Sequence, residues 1–177
     1  DRWQHSGHWE TLLHARFPSH NLVVRNLAFA GDEVAVRHRS ENFGAPDDWL
    51  GRVKADVIVA AFGYNESFGG SDALSRFRSD LDRFFRETVG KTYSEKGAPR
   101  IALCSPTADE RHADLDFPDP AANNRNLAAY TAVMAEVARS NNIPFVDLFT
   151  VSQRLFAEAA AAGRSLTANG HLLTEEG

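Results

Sequence analysis

The sequence predicts an α/β fold, a three-layer α/β/α sandwich around a parallel sheet, and three observations carry that prediction. Residues 57–62, Val-Ile-Val-Ala-Ala-Phe, form a continuous β-rich apolar run of strand length, which suits a strand covered on both faces. Two further short apolar runs lie at 100–104 and 144–148, and the stretches between them mix charged and apolar residues at helical period. Strands alternating with helices at this spacing imply right-handed β-α-β crossovers, hence a parallel sheet with helices on its faces.

Each element has a local reason. Residues 9–16 (WETLLHAR) read as the end of an amphipathic helix with Trp9, Leu12 and Leu13 on one stripe, broken by Phe17-Pro18. Residues 22–25 read as a short strand running into Asn26-Leu27-Ala28-Phe29-Ala30-Gly31-Asp32, a small-residue turn able to bring backbone N–H groups close to a ligand. Residues 34–46 are polar and irregular; the trio Arg37, His38 and Arg39 is either a solvated loop or a substrate-contacting one. Residues 49–54 look like a short helix before the strand at 57–62, which Gly63 ends.

After that strand, Leu74, Phe77, Leu81, Phe84 and Phe85 mark the buried stripe of a helix over 71–89, with Ser71 or Asp72 as its cap. The strand at 100–104 ends in Ser105-Pro106-Thr107, and 110–124 is a long polar loop holding Pro118 and Pro120. A helix over 127–141, a strand over 144–148 and an alanine-rich helix over 151–162 ending at Gly163 complete the pattern.

Composition limits the function. A chain of 177 residues with 43% hydrophobic residues fits one domain, 1–177, with a real core. A net charge of −5 and no Lys/Arg block argue against a nucleic-acid partner. No run reaches the roughly 18 apolar residues of a membrane span. The lone Cys104 forbids an internal disulfide framework and a cysteine metal cluster. His5 and His8 are spaced H-x-x-H without a third ligand, so they are read as helix-surface histidines; no metal or cofactor is implied.

In open α/β sheets, ligands bind in the crevice beyond the carboxyl ends of the strands. Gly63-Tyr64-Asn65-Glu66 lies at such an end, either as a plain turn into the next helix or as a site carrying Asn65. Together, Asn26-Leu27-Ala28-Phe29-Ala30-Gly31-Asp32, Gly63-Tyr64-Asn65-Glu66 and Asn169-Gly170-His171, followed by Thr174-Glu175-Glu176-Gly177, resemble the second, third and fifth sequence blocks of the SGNH/GDSL hydrolases. The resemblance implies a flavodoxin-like parallel sheet and ester hydrolysis by a serine nucleophile with a histidine base. It is nearest to a bacterial branch of carbohydrate-esterase type, often secreted or periplasmic, and favours short acyl esters, acetyl foremost, on carbohydrate.

Acyl transfer passes through a tetrahedral oxyanion and needs preorganised donors; the Gly31 backbone N–H and the Asn65 amide are the candidates. Deprotonating a hydroxyl near neutral pH needs a base, and His171 is the histidine that lies near a recognisable block.

Two departures from the family pattern stand out. The opening Gly-Asp-Ser block, which ends the first strand and presents the nucleophile, is absent, and Ser6 follows nothing strand-like. The nucleophile is therefore expected upstream of Asp1, with further chain beyond both ends and the first strand missing from its place between the strands at 22–25 and 57–62. The pattern also places an aspartate three residues before the histidine, where this chain has Ala168. If Asn169-Gly170 aligns with the pattern's Asp-Gly, Leu172 falls where histidine belongs. Either the loop is re-registered so that His171 reaches the crevice, or the site is degraded and the domain is a non-catalytic carbohydrate-binding or interaction module. The expectation for folding follows from the missing strand: residues 1–177 alone fold poorly, whereas an extension of about 20 residues at the amino end folds cooperatively. A sharp thermal transition of the isolated segment counts against it.

Overall fold

The computed structural model describes residues 7–37, 40–112 and 117–177, so His5, Ser6, His38, Arg39 and the stretch 113–116 of the polar loop lie outside the described residues. Its centre is a parallel sheet of three strands, β1 (Val57–Ala61), β2 (Arg100–Cys104) and β3 (Phe145–Val146), in the order β1-β2-β3. The β1–β2 ladder pairs Val57 with Arg100 through Ala61 with Cys104, and β3 adds Phe145 and Val146 opposite Leu103 and Cys104. The α/β class with an open parallel sheet is thus as the sequence predicts.

The helices are α1 (His8–Arg16), α2 (Ser40–Phe43), α3 (Pro46–Arg52), α4 (Tyr64–Ser67), α5 (Leu74–Val89), α6 (Ala121–Ser140) and α7 (Leu148–Ala161), with a 3-10 turn at Ser71–Ala73 before α5. The phenylalanine stripe of α5 is core: Phe77, Leu81 and Phe85 are buried, and Leu74 and Phe84 pack against them. They meet Tyr130, Val133, Met134 and Val137 of α6 over Ala60, Ile101 and Leu103 of the sheet. A second cluster, Ala108, Leu127, Phe149 and Phe156, joins α6 and α7 beyond the end of β2.

Five local readings need correction. Residues 22–25 form no strand: the segment makes no ladder hydrogen bonds, and extended propensity without a partner strand leaves a loop. Strand β1 is not covered on both faces, because Ile58 and Ala60 turn to the α5–α6 layer while Val57 and Val59 are 50% and 40% exposed. Helix α1 buries no residue, and its Leu12 is 66% exposed. Helix α6 starts at Ala121, directly after Pro120, so Asn123 and Asn124, read as loop, lie in its first turn. Neither Ser71 nor Asp72 caps α5 by its side chain.

Gly63 ends β1 in the way its sequence position suggests. Its φ of 100° is a left-handed conformation, and a Cβ there would meet Met134 Sδ at 2.9 Å, so both backbone and core exclude a larger residue. The core allows a direct comparison. Leu103→Ala, at a fully buried site on the middle strand, should cost about 2–5 kcal/mol in chemical denaturation, whereas Val57→Thr on the open face should cost well under half of that. Equal costs would mean that the open face of β1 is packed in solution.

Candidate active site

The segment after β2 builds the site, and past the last ladder bond, Ser105 N to Val146 O, side chains hold most of its backbone. Ser105 Oγ accepts from Leu148 N at 2.9 Å and Phe149 N at 3.0 Å, which fastens the end of β2 to the start of α7. Ala108 N then donates to Ser152 Oγ at 2.8 Å. Asp109 exchanges a pair of bonds with Asn124: its N–H donates to Oδ1 at 2.8 Å, and Asn124 Nδ2 donates to its carbonyl at 2.8 Å. Glu110 N donates to Gly170 O at 2.7 Å. The chain from 105 to 110 is thereby fixed to α7, to α6 and to the loop that carries His171.

Asp109 is the hub. Its carboxylate accepts from Tyr64 Oη at 3.1 Å and from Asn123 Nδ2 at 2.5 Å, and His171 Nδ1 lies 3.4 Å from Oδ1. The His171 ring stacks on Tyr64 with centroids 3.9 Å apart and planes 27° from parallel. Its Nδ1 is buried and has no hydrogen bond of good geometry, and the Asp109 carboxylate faces it. Burial alone would raise the Asp109 carboxyl, but the His171 ring and the bonds from Asn123 and Tyr64 outweigh it and hold the group below its ordinary range. The Tyr64 phenol moves the other way, pushed up by burial and by Asp109.

The loop 165–174 is a short turn closed by the Thr167–Leu173 bridge, with Asn169 Oδ1 accepting from Leu172 N at 2.8 Å and from His171 N at 3.2 Å. In this register His171, half-exposed, meets Tyr64 and Asp109, and Ala168 is exposed at the position where the family pattern has an aspartate.

Asn65 follows Tyr64 in α4, and its Nδ2 donates to Asp32 O at 3.2 Å. Gly31 and Asp32 form the turn that Asp32 N closes on Phe29 O. Glu66 ties the same two loops together: Oε2 accepts from Gly63 N and Oε1 from Val34 N, each at 2.9 Å. Burial raises the Glu66 carboxyl despite these two bonds. Arg37 of the basic trio is not simply solvated, since its guanidinium sits 4.6 Å over the Phe62 ring.

The structure therefore brings Gly31, Asn65 and, through Tyr64, His171 into one neighbourhood beyond the carboxyl end of β1. Asp109, Asn123 and Glu66 were not among the sequence candidates. The signal available for Asp109 was its place a few residues past the end of β2, in the same crevice. Among the described residues no three His, Cys, Asp or Glu side chains group as a metal site, and no helix is long and apolar enough to cross a membrane.

Residues 1–173 match the model of the GDSL-like Lipase/Acylhydrolase family. No curated protein matches the chain in sequence. Among solved structures, the chain is similar to an acetyl xylan esterase, AlAXEase, with a TM-score of 0.66 at 14% identity over 96% of this chain and 84% of that one. It is also similar to Axe2, an acetylxylan esterase from Geobacillus stearothermophilus, with a TM-score of 0.65 at 19% identity over 93% of this chain and 71% of that one. A third is LAE5, an alpha/beta hydrolase from the metagenome of Lake Arreo, Spain, with a TM-score of 0.63 at 20% identity over the same shares.

The carboxylates set the pH dependence of stability. Glu110, buried beneath the loop, is held below its ordinary range because Thr167, Leu166 and Ser165 donors outweigh burial. Unfolded Asp and Glu titrate near about 3.9 and 4.3, so what Asp109 and Glu110 add to stability is complete above about pH 5 and is lost as pH falls through their lower folded values. Asp109→Asn should lower the Tm at neutral pH and flatten its decline on acidification. A variant whose Tm falls as steeply as the parent's would show that Asp109 carries none of that dependence.

Proposed function

Since the chain belongs to the GDSL-like lipase/acylhydrolase family and is an ester hydrolase of the SGNH fold, we propose that its substrates are short acyl esters on carbohydrate, acetyl foremost. In this reading the Gly31 N–H and the Asn65 amide receive the oxyanion and His171 is the base. The observation that carries it is the register of the 165–174 loop, in which the His171 ring lies against Tyr64, next to Asn65, with a carboxylate behind Nδ1. Nε2 is then the nitrogen left to take a proton.

The steps balance as a two-stage acyl transfer. Nε2 takes the proton of a serine hydroxyl as its oxygen bonds to the ester carbonyl carbon, and the carbonyl oxygen becomes the oxyanion. Collapse breaks the bond to the sugar oxygen, which leaves with the proton from His171; water, deprotonated by the same nitrogen, then releases the acid. The nucleophile that this reading requires is a serine hydroxyl within reach of Nε2. Ser67, at the end of α4, and Ser105, just past β2, are buried and donate to Tyr64 O at 2.6 Å and Pro106 O at 3.0 Å. The acetyl xylan esterases among the similar structures support the acyl group and the carbohydrate alcohol.

Two measurements on the intact protein test this with an aryl acetate and an acetylated xylo-oligosaccharide. Asn65→Ala should lower kcat by about 10²–10³ with KM nearly unchanged, as expected for a donor that matters in the transition state; full activity would return Asn65 to the role of a turn residue. Activity should fall on acidification through the range where imidazole is protonated, and His171→Ala should abolish it while Leu172→His brings no gain. A silent His171→Ala with a gain in Leu172→His would mean that Leu172 holds the base position.

A further inference from the structure

The carboxylate expected three residues before His171 is absent from that loop, yet the loop sits on two adjacent carboxylates from elsewhere. Asp109 lies 3.4 Å behind His171 Nδ1. Glu110, 4% exposed, accepts through its carboxylate from Ser165 Oγ at 2.7 Å, Leu166 N at 2.9 Å, Thr167 N at 2.7 Å and Thr167 Oγ1 at 2.5 Å. Its backbone N–H takes Gly170 O, and Gly170, at φ 89°, allows the close approach: a Cβ there would meet Glu110 O at 3.1 Å. His112 extends the grip, with Nε2 3.1 Å from Thr167 O.

We propose that Asp109 and Glu110 are a positioning pair for His171, in which Asp109 replaces the missing loop aspartate behind Nδ1 and Glu110 clamps the loop backbone so that the ring reaches it. The inference rests on the reading of His171 as base. It follows from the division of contacts: no other charged group of the described residues lies within ion-pair distance of the ring, and the turn that carries it is bonded to Glu110 on both sides of Ala168. A buried carboxylate with four donors costs its desolvation unless every lone pair is used, and here each donor comes from one three-residue stretch. Such a clamp fixes a loop at the residues next to its tip and leaves the tip half-exposed.

The test compares Asp109→Asn, Glu110→Gln and Thr167→Val in the intact protein, with kcat and KM on an aryl acetate and NMR of the His171 ring. Asp109→Asn should lower kcat by about 10²–10⁴ with KM within a few-fold, as an amide behind the imidazole does in the serine-protease template. The ring-current shift from Tyr64 should persist in that variant, while the ring ¹⁵N shifts report a changed tautomer. Glu110→Gln should remove the ring-current shift and lower kcat without a matching rise in KM. Thr167→Val, which deletes one donor, should do both to a smaller degree and serves if Glu110→Gln fails to fold.

Unchanged ¹⁵N shifts and kcat in Asp109→Asn, or an intact ring-current shift in Glu110→Gln and Thr167→Val, would overturn the proposal. His171→Ala separates the two readings. If it stays active, His171 is not the base, and the NMR response of the other variants alone decides whether the pair positions the ring.

Discussion

The carboxylate of Glu66 is the constraint on which the architecture of the site depends, because it joins two segments that no ladder connects. One oxygen closes the turn at Gly63 and the other holds Val34 of the loop that carries Gly31. The Asn65 bond to Asp32 O is a second polar tie between this loop and the end of β1. The price is a desolvated acid, visible in its raised carboxyl, whose sign opposes that of Asp109 and Glu110. These three carboxylates thus serve as acceptors for particular donors, and Asp109 faces His171 as well.

The same economy appears after β2. Residues 105–110 leave the sheet and pass over the ends of α6 and α7, and their backbone groups are taken one by one by Asn124, Ser152 and Gly170. Loops that carry function are commonly mobile, but this one is anchored at nearly every step. The first turn of α6 does double duty, since Asn123 bonds the Asp109 carboxylate while Asn124 bonds its backbone. The placing of Asp109 is in this way set by the same helix that builds the core.

What the sequence made legible was what is local. The apolar run stopped by Gly63, the phenylalanine stripe of α5 and the strand at 100–104 each carry their period or their breaker within a few residues, and the parallel sheet follows from their alternation. Helix α6 was cut short because Asn123 and Asn124 after Pro120 have the composition of a loop, while their side chains are spent on Asp109. The strand at 22–25 was read from propensity alone, and pairing, which propensity does not encode, is lacking there. Of the candidate site, Gly31, Asn65 and His171 are legible from their places in the turns and from the family resemblance. Asp109 is not legible from sequence, because it lies far from the histidine's own loop and a contact across two helices leaves no periodic trace.

Strand β1 also has a bearing on how the protein behaves in concentrated solution. Its pairing uses one edge, toward β2, and among the described residues no strand pairs with the other, beside which Val57 and Val59 stand half open to solvent. An edge of that kind offers aligned amide donors and acceptors to any extended peptide, and the usual guards of lysine, proline or a bulge are absent from Val57-Ile58-Val59-Ala60-Ala61. Strand-to-strand association, where it occurs, is therefore expected along β1, against the repulsion that a net charge of −5 provides.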